Sequence, residues 1–479
     1  MTTEDSDATP ATPSHHPATS KALADFMAQG WAATPAFPDT RHPAADRFAE
    51  RRLALAAAMP GCVLVVPTGH AKVRANDTDY RFRSGSDFFW LCGHDEPDGV
   101  LVVDARGDGA ASTLYVEPRA DRSTPAFFTD PRNGELWVGP RRGEAESQRF
   151  LGVTCAPLGR LAGDLAELDP AVTVLLRGVD PDLDETVAPH PDDERFAVTL
   201  SELRLVKDPY EVRMLEAAVA ATVHGFEDVV RALPEAMEQG ERVVEGVFNL
   251  RARVEGNDTG YGTIAASGAH ATILHWVRND GEVRRGDLLL LDAGVECHEL
   301  YTADVTRTLP VSGRFSDAQR ELYELVLAAQ RAGIAAVRPG ADFLDPHRAA
   351  MGVLAEGLER MGILPRHSGE EDDPQLYRRY TLHGTSHMLG LDVHDCAHAR
   401  EEEYRGGILQ PGYVLTVEPG LYFQSNDLTV PERLRGIGIR IEDDVLVTED
   451  GCRVLSDGLP TDPDEIERWM ARLSAPGAG

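Results

Sequence analysis

Five side chains of the kind that hold divalent cations punctuate the C-terminal half of this chain: Asp292, Asp304, His387, Glu418 and Glu442. Each lies in an apolar, strand-like or glycine-rich stretch. A charge buried in such a setting costs several kcal/mol unless it is paired or bound to a cation. Asp292 closes the run DLLLLDAG, which reads as a strand buried on both faces. Asp304 lies in YTADVTRTLPV, rich in β-branched and aromatic residues and closed by a proline. The two segments are close enough for a hairpin that would set their carboxylates side by side. His387 lies in TLHGTSHMLGLDVHD and Glu418 in YVLTVEPGLYF, a short apolar strand that stops at Pro-Gly. Around Glu442 the alternation puts Gly436, Gly438, Arg440 and Glu442 on one face, with room above the glycines. Four carboxylates and one imidazole could hold two divalent ions.

Taken singly, each residue has an ordinary explanation. Asp292 could be a turn former, Glu418 a turn residue before Pro-Gly, and His387 a hydrogen-bonded core histidine. All five in order, each on a strand or beside glycines, argue for the metal instead. No HExxH, P-loop or GxSxG motif is present, so zincin, nucleotide and serine-hydrolase readings have no support.

The elements that must position these groups can be outlined. The 479 residues allow two domains. Residues 1–40 read as a flexible, Pro/Ser/Thr-rich tail without the basic and apolar regions of a signal peptide. Residues 41–195 alternate helix and strand, with a helix at FAERRLALAAAM and strands at GCVLVVPTG, GVLVVDARG, STLYVEPRA and VTVLLRGVDPD. PHPDDE reads as a linker. Residues 196–479 would form the catalytic domain, opening on a helix whose capping box is Asp208-Pro209-Tyr210-Glu211. A second helix, AQRELYELVLAAQRAGIAAV, precedes the segments of His387, Glu418 and Glu442.

Composition narrows the class. There are 47 basic against 79 acidic residues, a net charge of −32, which disfavours nucleic acid and anionic membranes as partners. The six cysteines are scattered without CxxC spacing, as expected of reduced thiols in a cytoplasmic protein. No apolar run is long enough for a transmembrane span.

The strings ILHW, LLLLDAG, ADVTRTLPV, LHGTSHMLGLDVHD, VLTVEPGLY and GIGIRIEDDVLVTEDG resemble the site motifs of aminopeptidase P (Xaa-Pro aminopeptidase). That family groups with methionine aminopeptidase, prolidase and creatinase. YRFRSGSDFFWLCGHDEPDGVLVV resembles its N-terminal domain, and the likeness spans roughly residues 45–460. It implies an α+β protein, with a pita-bread metallopeptidase domain after a smaller α/β domain. Asp292 would bind one metal, Asp304 and Glu442 would bridge the two, and His387 and Glu418 would complete the shell of the second ion. The resemblance favours Mn²⁺, while the ligand types also admit Co²⁺, Fe²⁺ or Zn²⁺. A hydroxide held between the metals would attack the scissile carbonyl, with Glu418 as proton shuttle. His275, His383 and His394 match positions that hold substrate or stabilise the tetrahedral intermediate. Arg440 would pair with a ligand carboxylate or orient substrate, and Tyr261 also matches a site position. The implied substrates are peptides with proline second, and the implied assembly is a dimer or tetramer. Phe89 and Trp90 are either core aromatics or the edge of a neighbouring subunit's site. Alternatives are a prolidase restricted to Xaa-Pro dipeptides, or a binding protein that keeps the fold. The second is disfavoured because all five ligands are present.

One departure from the family pattern matters. Asp292 and Asp304 are twelve residues apart, one more than in many relatives. An extra residue inside a strand would flip every side chain beyond it. The polar stretch His298-Glu299-Leu300 is the expected place for it, as a turn insertion or a bulge.

Overall fold

The computed structural model describes residues 19–32, 37–107, 109–365 and 375–475. Most of the expected tail, residues 1–18 and 33–36, lies outside them. Within the described part Lys21–Met27 is helical, with no buried residue. Ser20 caps it by accepting from the Leu23 N–H at 3.2 Å, and Lys21 pairs with Asp25 one turn on at 2.8 Å.

The chain forms two compact units, Met1–Asp193 and Glu194–Gly479. The first is built on a five-stranded mixed sheet. Its order is Thr154–Pro157, Ala111–Val116, Val100–Asp104, Val63–Pro67 and Thr173–Leu175, with parallel pairing at both edges. The interior strand VLVVP is buried throughout, so its continuous apolar run is explained by cover on both faces. The helix Ser86–Cys92 carries Phe89 and Trp90, both buried, which makes them core aromatics of this unit.

The second unit opens on the helix Asp193–Leu203 and then the long helix Pro209–Gln239. Asp208 and Glu211 form its capping box, and the helix passes through Pro234. It packs on Glu241–Glu255, and the helices Asp317–Ala336 and Asp345–Arg360 pack on each other in the same way. Between these pairs lie two small antiparallel sheets. One orders Val305–Pro310, Leu288–Ala293 and Ile264–Ser267. The other orders Val414–Val417, Asp443–Val447 and Cys452–Val454. A two-stranded ladder, Gly420–Tyr422 with Gly438–Arg440, completes the framework. One apolar core joins helices and strands, from Phe226 and Phe248 through Leu289 and Leu291 to Ile439 and Ile441.

The extra residue between Asp292 and Asp304 falls in the turn. Glu296 bridges Thr302, Cys297 and Tyr301 are hydrogen-bonded, and Leu300 takes a left-handed φ of 62° between them. The strands on either side keep their register, with Ala293 opposite Val305. The two aspartates therefore sit at one end of one sheet.

Candidate active site

All five ligand candidates, together with Tyr261, His275, His383, His394 and Arg440, line one cavity of about 540 Å³. Asp292 lies near the end of Leu288–Ala293, and Asp304 immediately precedes Val305–Pro310. Glu418 follows Val414–Val417, and Arg440 and Glu442 leave the strand Gly438–Arg440. His387 lies in an irregular loop, which is tied down by its own N–H to Thr416 Oγ1 and by Thr416 N–H to its carbonyl.

The carboxylates crowd one another. Tyr261 Oη is 2.7 Å from Asp292 Oδ1 and 2.5 Å from Asp304 Oδ1. A phenol has one proton to donate, so it can satisfy only one of these two carboxylate oxygens at a time. Arg440 Nη2 donates to Asp292 Oδ2 at 2.5 Å, and Thr306 Oγ1 donates to Glu442 Oε2 at 2.6 Å. His387 Nε2 is 3.3 Å from Asp304 Oδ2 and 3.5 Å from Glu418 Oε1. Its Nδ1 faces the Met388 carbonyl at 3.2 Å. A carbonyl only accepts, so Nδ1 carries a proton, and Nε2 is turned to the carboxylates. Ligand atoms of Asp304, His387 and Glu442 all lie within 4.8 Å of one another.

Electrostatics points the same way. Burial, then the charges of Asp304, Glu418 and Asp292, pushes the Glu442 carboxyl well above the usual range. Burial also raises Asp292, against the pull of Arg440. For Glu418 burial is outweighed by His383, His387 and Arg440, and its carboxyl is lowered. Burial opposes charging of His387, but Asp304 and Glu418 prevail and raise it to about 9. Four carboxylates thus have Arg440 and the imidazoles of His387 and His383 as their near cations. A surplus of buried oxygen anions, one imidazole and no thiolate is a donor set that fits divalent cations.

The remaining histidines surround this cluster. His383 Nδ1 is 2.8 Å from the Gly384 carbonyl and 3.3 Å from Glu418 Oε2. The His394 ring lies edge-on to His387 at 4.5 Å between centroids. Burial and the His387 charge lower its pKa. His275 lies on the cavity wall beside Leu274 and Val277.

Comparison with known proteins identifies the architecture. Residues 213–449 match metallopeptidase family M24, and residues 48–173 match the aminopeptidase P N-terminal domain. The Xaa-Pro aminopeptidase 1 of Streptomyces coelicolor is 53% identical over 96% of this chain and 94% of that protein. The chain belongs to the aminopeptidase P family of metallopeptidases. The Xaa-Pro aminopeptidase of Escherichia coli is 33% identical, over 89% of this chain and 97% of its own length. The solved structure of Pseudomonas aeruginosa aminopeptidase PepP superposes with a TM-score of 0.78 at 32% identity, covering 90% of this chain and 99% of that one. Divalent metal ions are therefore implied for this site, on family grounds as well as on its donor set.

Several side chains of this aminopeptidase P site escaped the sequence reading. Tyr422 Oη accepts from Arg440 Nη1 at 3.0 Å and meets His383 Nε2 at 2.8 Å. In a neutral His383 ring, Nδ1–H donates to Gly384 O, so Nε2 accepts the Tyr422 proton. One chain of hydrogen bonds thus runs from Asp292 through Arg440 and Tyr422 to His383. Its sequence signal was the tyrosine four residues after Glu418, masked by the apolar run around it. Phe343, Tyr404 and Arg405 also line the cavity. They lie on segments with no periodicity, where nothing local marks an inward side chain. Asp444 accepts from the Asp304 N–H at 3.1 Å, and burial raises its carboxyl well above the ordinary range.

Proposed function

We propose that this chain removes the N-terminal residue from peptides whose second residue is proline, using two divalent ions held by Asp292, Asp304, His387, Glu418 and Glu442. The observation that carries the reading is the single cavity that collects all five, with His275, His383, His394 and Arg440 around them. It is supported by relatives named Xaa-Pro aminopeptidase across nearly the whole chain. When bound, the ions supply an activated water and Lewis acidity toward the scissile carbonyl. Manganese is the favoured ion on the family resemblance, while the donor set of four carboxylates and one imidazole also admits Co²⁺, Fe²⁺ or Zn²⁺.

The protein's own groups divide the rest of the work. Glu418, lowered and so ionised, accepts a proton and carries it toward the leaving nitrogen. That transfer is essential here, because the nitrogen of a prolyl bond has no hydrogen of its own. His383, its ring held between the Gly384 carbonyl and Tyr422, faces Glu418, so it can hold substrate oxygen or steady the carboxylate. Arg440 offsets the charge of Asp292. Ile264, Leu274 and Val277 give an apolar wall for the substrate beside the charged floor. All six cysteines are unpaired thiols, which suits a cytoplasmic setting. No helix among the described residues is long and apolar enough to cross a membrane. Assembly as a dimer or tetramer stays part of the proposal on the family resemblance.

The test is cleavage of Arg-Pro-Pro and of the dipeptide Ala-Pro by chelator-stripped protein, with and without Mn²⁺. Metal-dependent release of arginine from the tripeptide is expected. Cleavage of the dipeptide alone would make the enzyme a prolidase, and no cleavage of either with two metals bound would overturn the substrate assignment.

A further inference from the structure

Behind the cavity wall lies a carboxylate that none of the steps above uses. Glu241 is the first residue of the helix Glu241–Glu255 and is completely buried. Its side chain makes no ion pair with a lysine or arginine among the described residues. It accepts four hydrogen bonds instead. Ser267 N–H and His270 Nδ1 both reach Oε1 at 2.8 Å. Trp276 Nε1–H reaches Oε2 at 2.8 Å, and Gly281 N–H reaches it at 2.7 Å. Two bonds on each oxygen fill the acceptor capacity of a carboxylate. The site at the helix start also favours the negative charge.

These four donors come from one stretch of chain, residues 267–281, and His275 lies in its middle. The stretch has little regular structure of its own, a short 3₁₀ turn at Gly268–Thr272 and then loop. Trp276, next to His275, is held by Glu241 at its indole nitrogen and stacks on the His270 ring at 3.8 Å and 24°. His270 is held by the same carboxylate. The close approach is built into the backbone as well. A Cβ at Gly281 would lie 2.4 Å from His270 Cε1 and 2.8 Å from Glu241 Oε2, and one at Gly240 would lie 2.5 Å from the Gly281 carbonyl. On the cavity side of this clamp His275 stands on the wall.

We propose that Glu241 is a positioning residue for catalysis, setting His275 against the substrate by clamping His270, Trp276 and Gly281 in one carboxylate. The inference rests on the reading of His275 as a substrate-holding group. A carboxylate with four N–H donors admits no amide in its place, since a Gln side chain would turn an N–H against N–H donors. Glu241→Gln therefore loosens the segment while leaving every metal ligand in place.

The experiment is a double-mutant cycle on tripeptide turnover, with Glu241→Gln and His275→Ala alone and together, and metal content measured for each. Should Glu241→Gln fold poorly, Trp276→Phe removes one of the four donors and keeps the aromatic stack. The expected result is a loss in kcat of roughly ten-fold for Glu241→Gln with two metals retained, shrinking to less than about two-fold in the His275→Ala background. An equal factor in both backgrounds would overturn the proposal, because a general structural defect is additive with His275. So would an unchanged kcat in Glu241→Gln or Trp276→Phe. A His275→Ala variant with normal kinetics would instead remove His275 from the site, and the inference with it.

Discussion

Replacing Asp395 by asparagine should destabilise the catalytic unit severely. Asp395 follows His394 and is almost wholly buried. Its Oδ2 accepts from Lys207 Nζ at 2.9 Å, its Oδ1 accepts from Arg204, and both cations are themselves buried. At 2.9 Å the Lys207 contact alone corresponds to about 6 kcal/mol of Coulomb attraction at an effective dielectric near 20. Desolvation of the ions offsets part of this. Removing one partner strands the others, and measured losses for such cuts are about 3–5 kcal/mol. Denaturant unfolding of both proteins at pH 7 checks this, and a loss below about 1 kcal/mol would refute the reasoning. A pH series adds a second check. Burial would raise the Asp395 carboxyl, but Arg204 and Lys207 outweigh it and hold it well below the usual range. Its contribution is therefore complete above the unfolded value of about 3.9 and fades as pH falls toward the depressed folded one. The gap between wild type and Asp395→Asn should narrow by about 1 kcal/mol between pH 5 and pH 3. A gap that widens on acidification would show that Asp395 is not the ionised partner described.

Further outcomes concern the cavity. Asp304→Asn should cost most of kcat, and near-normal turnover with both metals retained would sink its bridging role. Tyr422→Phe leaves Arg440 Nη1 and His383 Nε2 short of a partner, which predicts a loss of about 1–3 kcal/mol in transition-state stabilisation, read as kcat/KM against wild type. His394→Ala should lower turnover with less effect on metal content measured by elemental analysis, and unchanged kinetics would exclude it from the site.

What could be read from the residues was whatever repeats or sits at a strand end. DLLLLDAG announced a strand buried on both faces, and Leu288–Ala293 is one. Asp208 and Glu211 announced a helix start and form the capping box. The turn at Leu300 was legible too, because an insertion in a strand would have reversed the side chains beyond it. The helix Lys21–Met27 was missed because its capping serine lies in a Pro/Ser/Thr-rich stretch whose average composition hides seven good positions. Arg405 and Tyr404 were missed for a different reason. Their direction is decided by tertiary contacts such as the Met388 N–H on Tyr404 Oη at 2.8 Å, which no local pattern encodes. Glu241 shows the limit best. In sequence it is one more acid at a helix start, and its four donors become neighbours only when residues 267–281 fold back over it.

The run Glu442-Asp443-Asp444 shows why three adjacent acids can be tolerated inside a core. Adjacent side chains leave an extended backbone on opposite faces, so Asp443 is separated from Glu442 and Asp444. Glu442 turns into the cavity, where Thr306 donates to it. Asp443 turns the other way onto Arg307 at 2.7 Å, with Ser456 and Gln330 donating to it as well. Asp444 turns back and receives the Asp304 N–H. Arg307 does two jobs at once. It neutralises Asp443 and donates to the Glu442 carbonyl at 2.6 Å, fixing the backbone from which the ligand side chain departs. A charge buried behind the site is thus matched by a protein cation, and the charge in front of it is left for the metal. The division follows from one alternation of side chains and one arginine, so a shift of register that put Asp443 in the place of Glu442 would bring Asp444 onto Arg307.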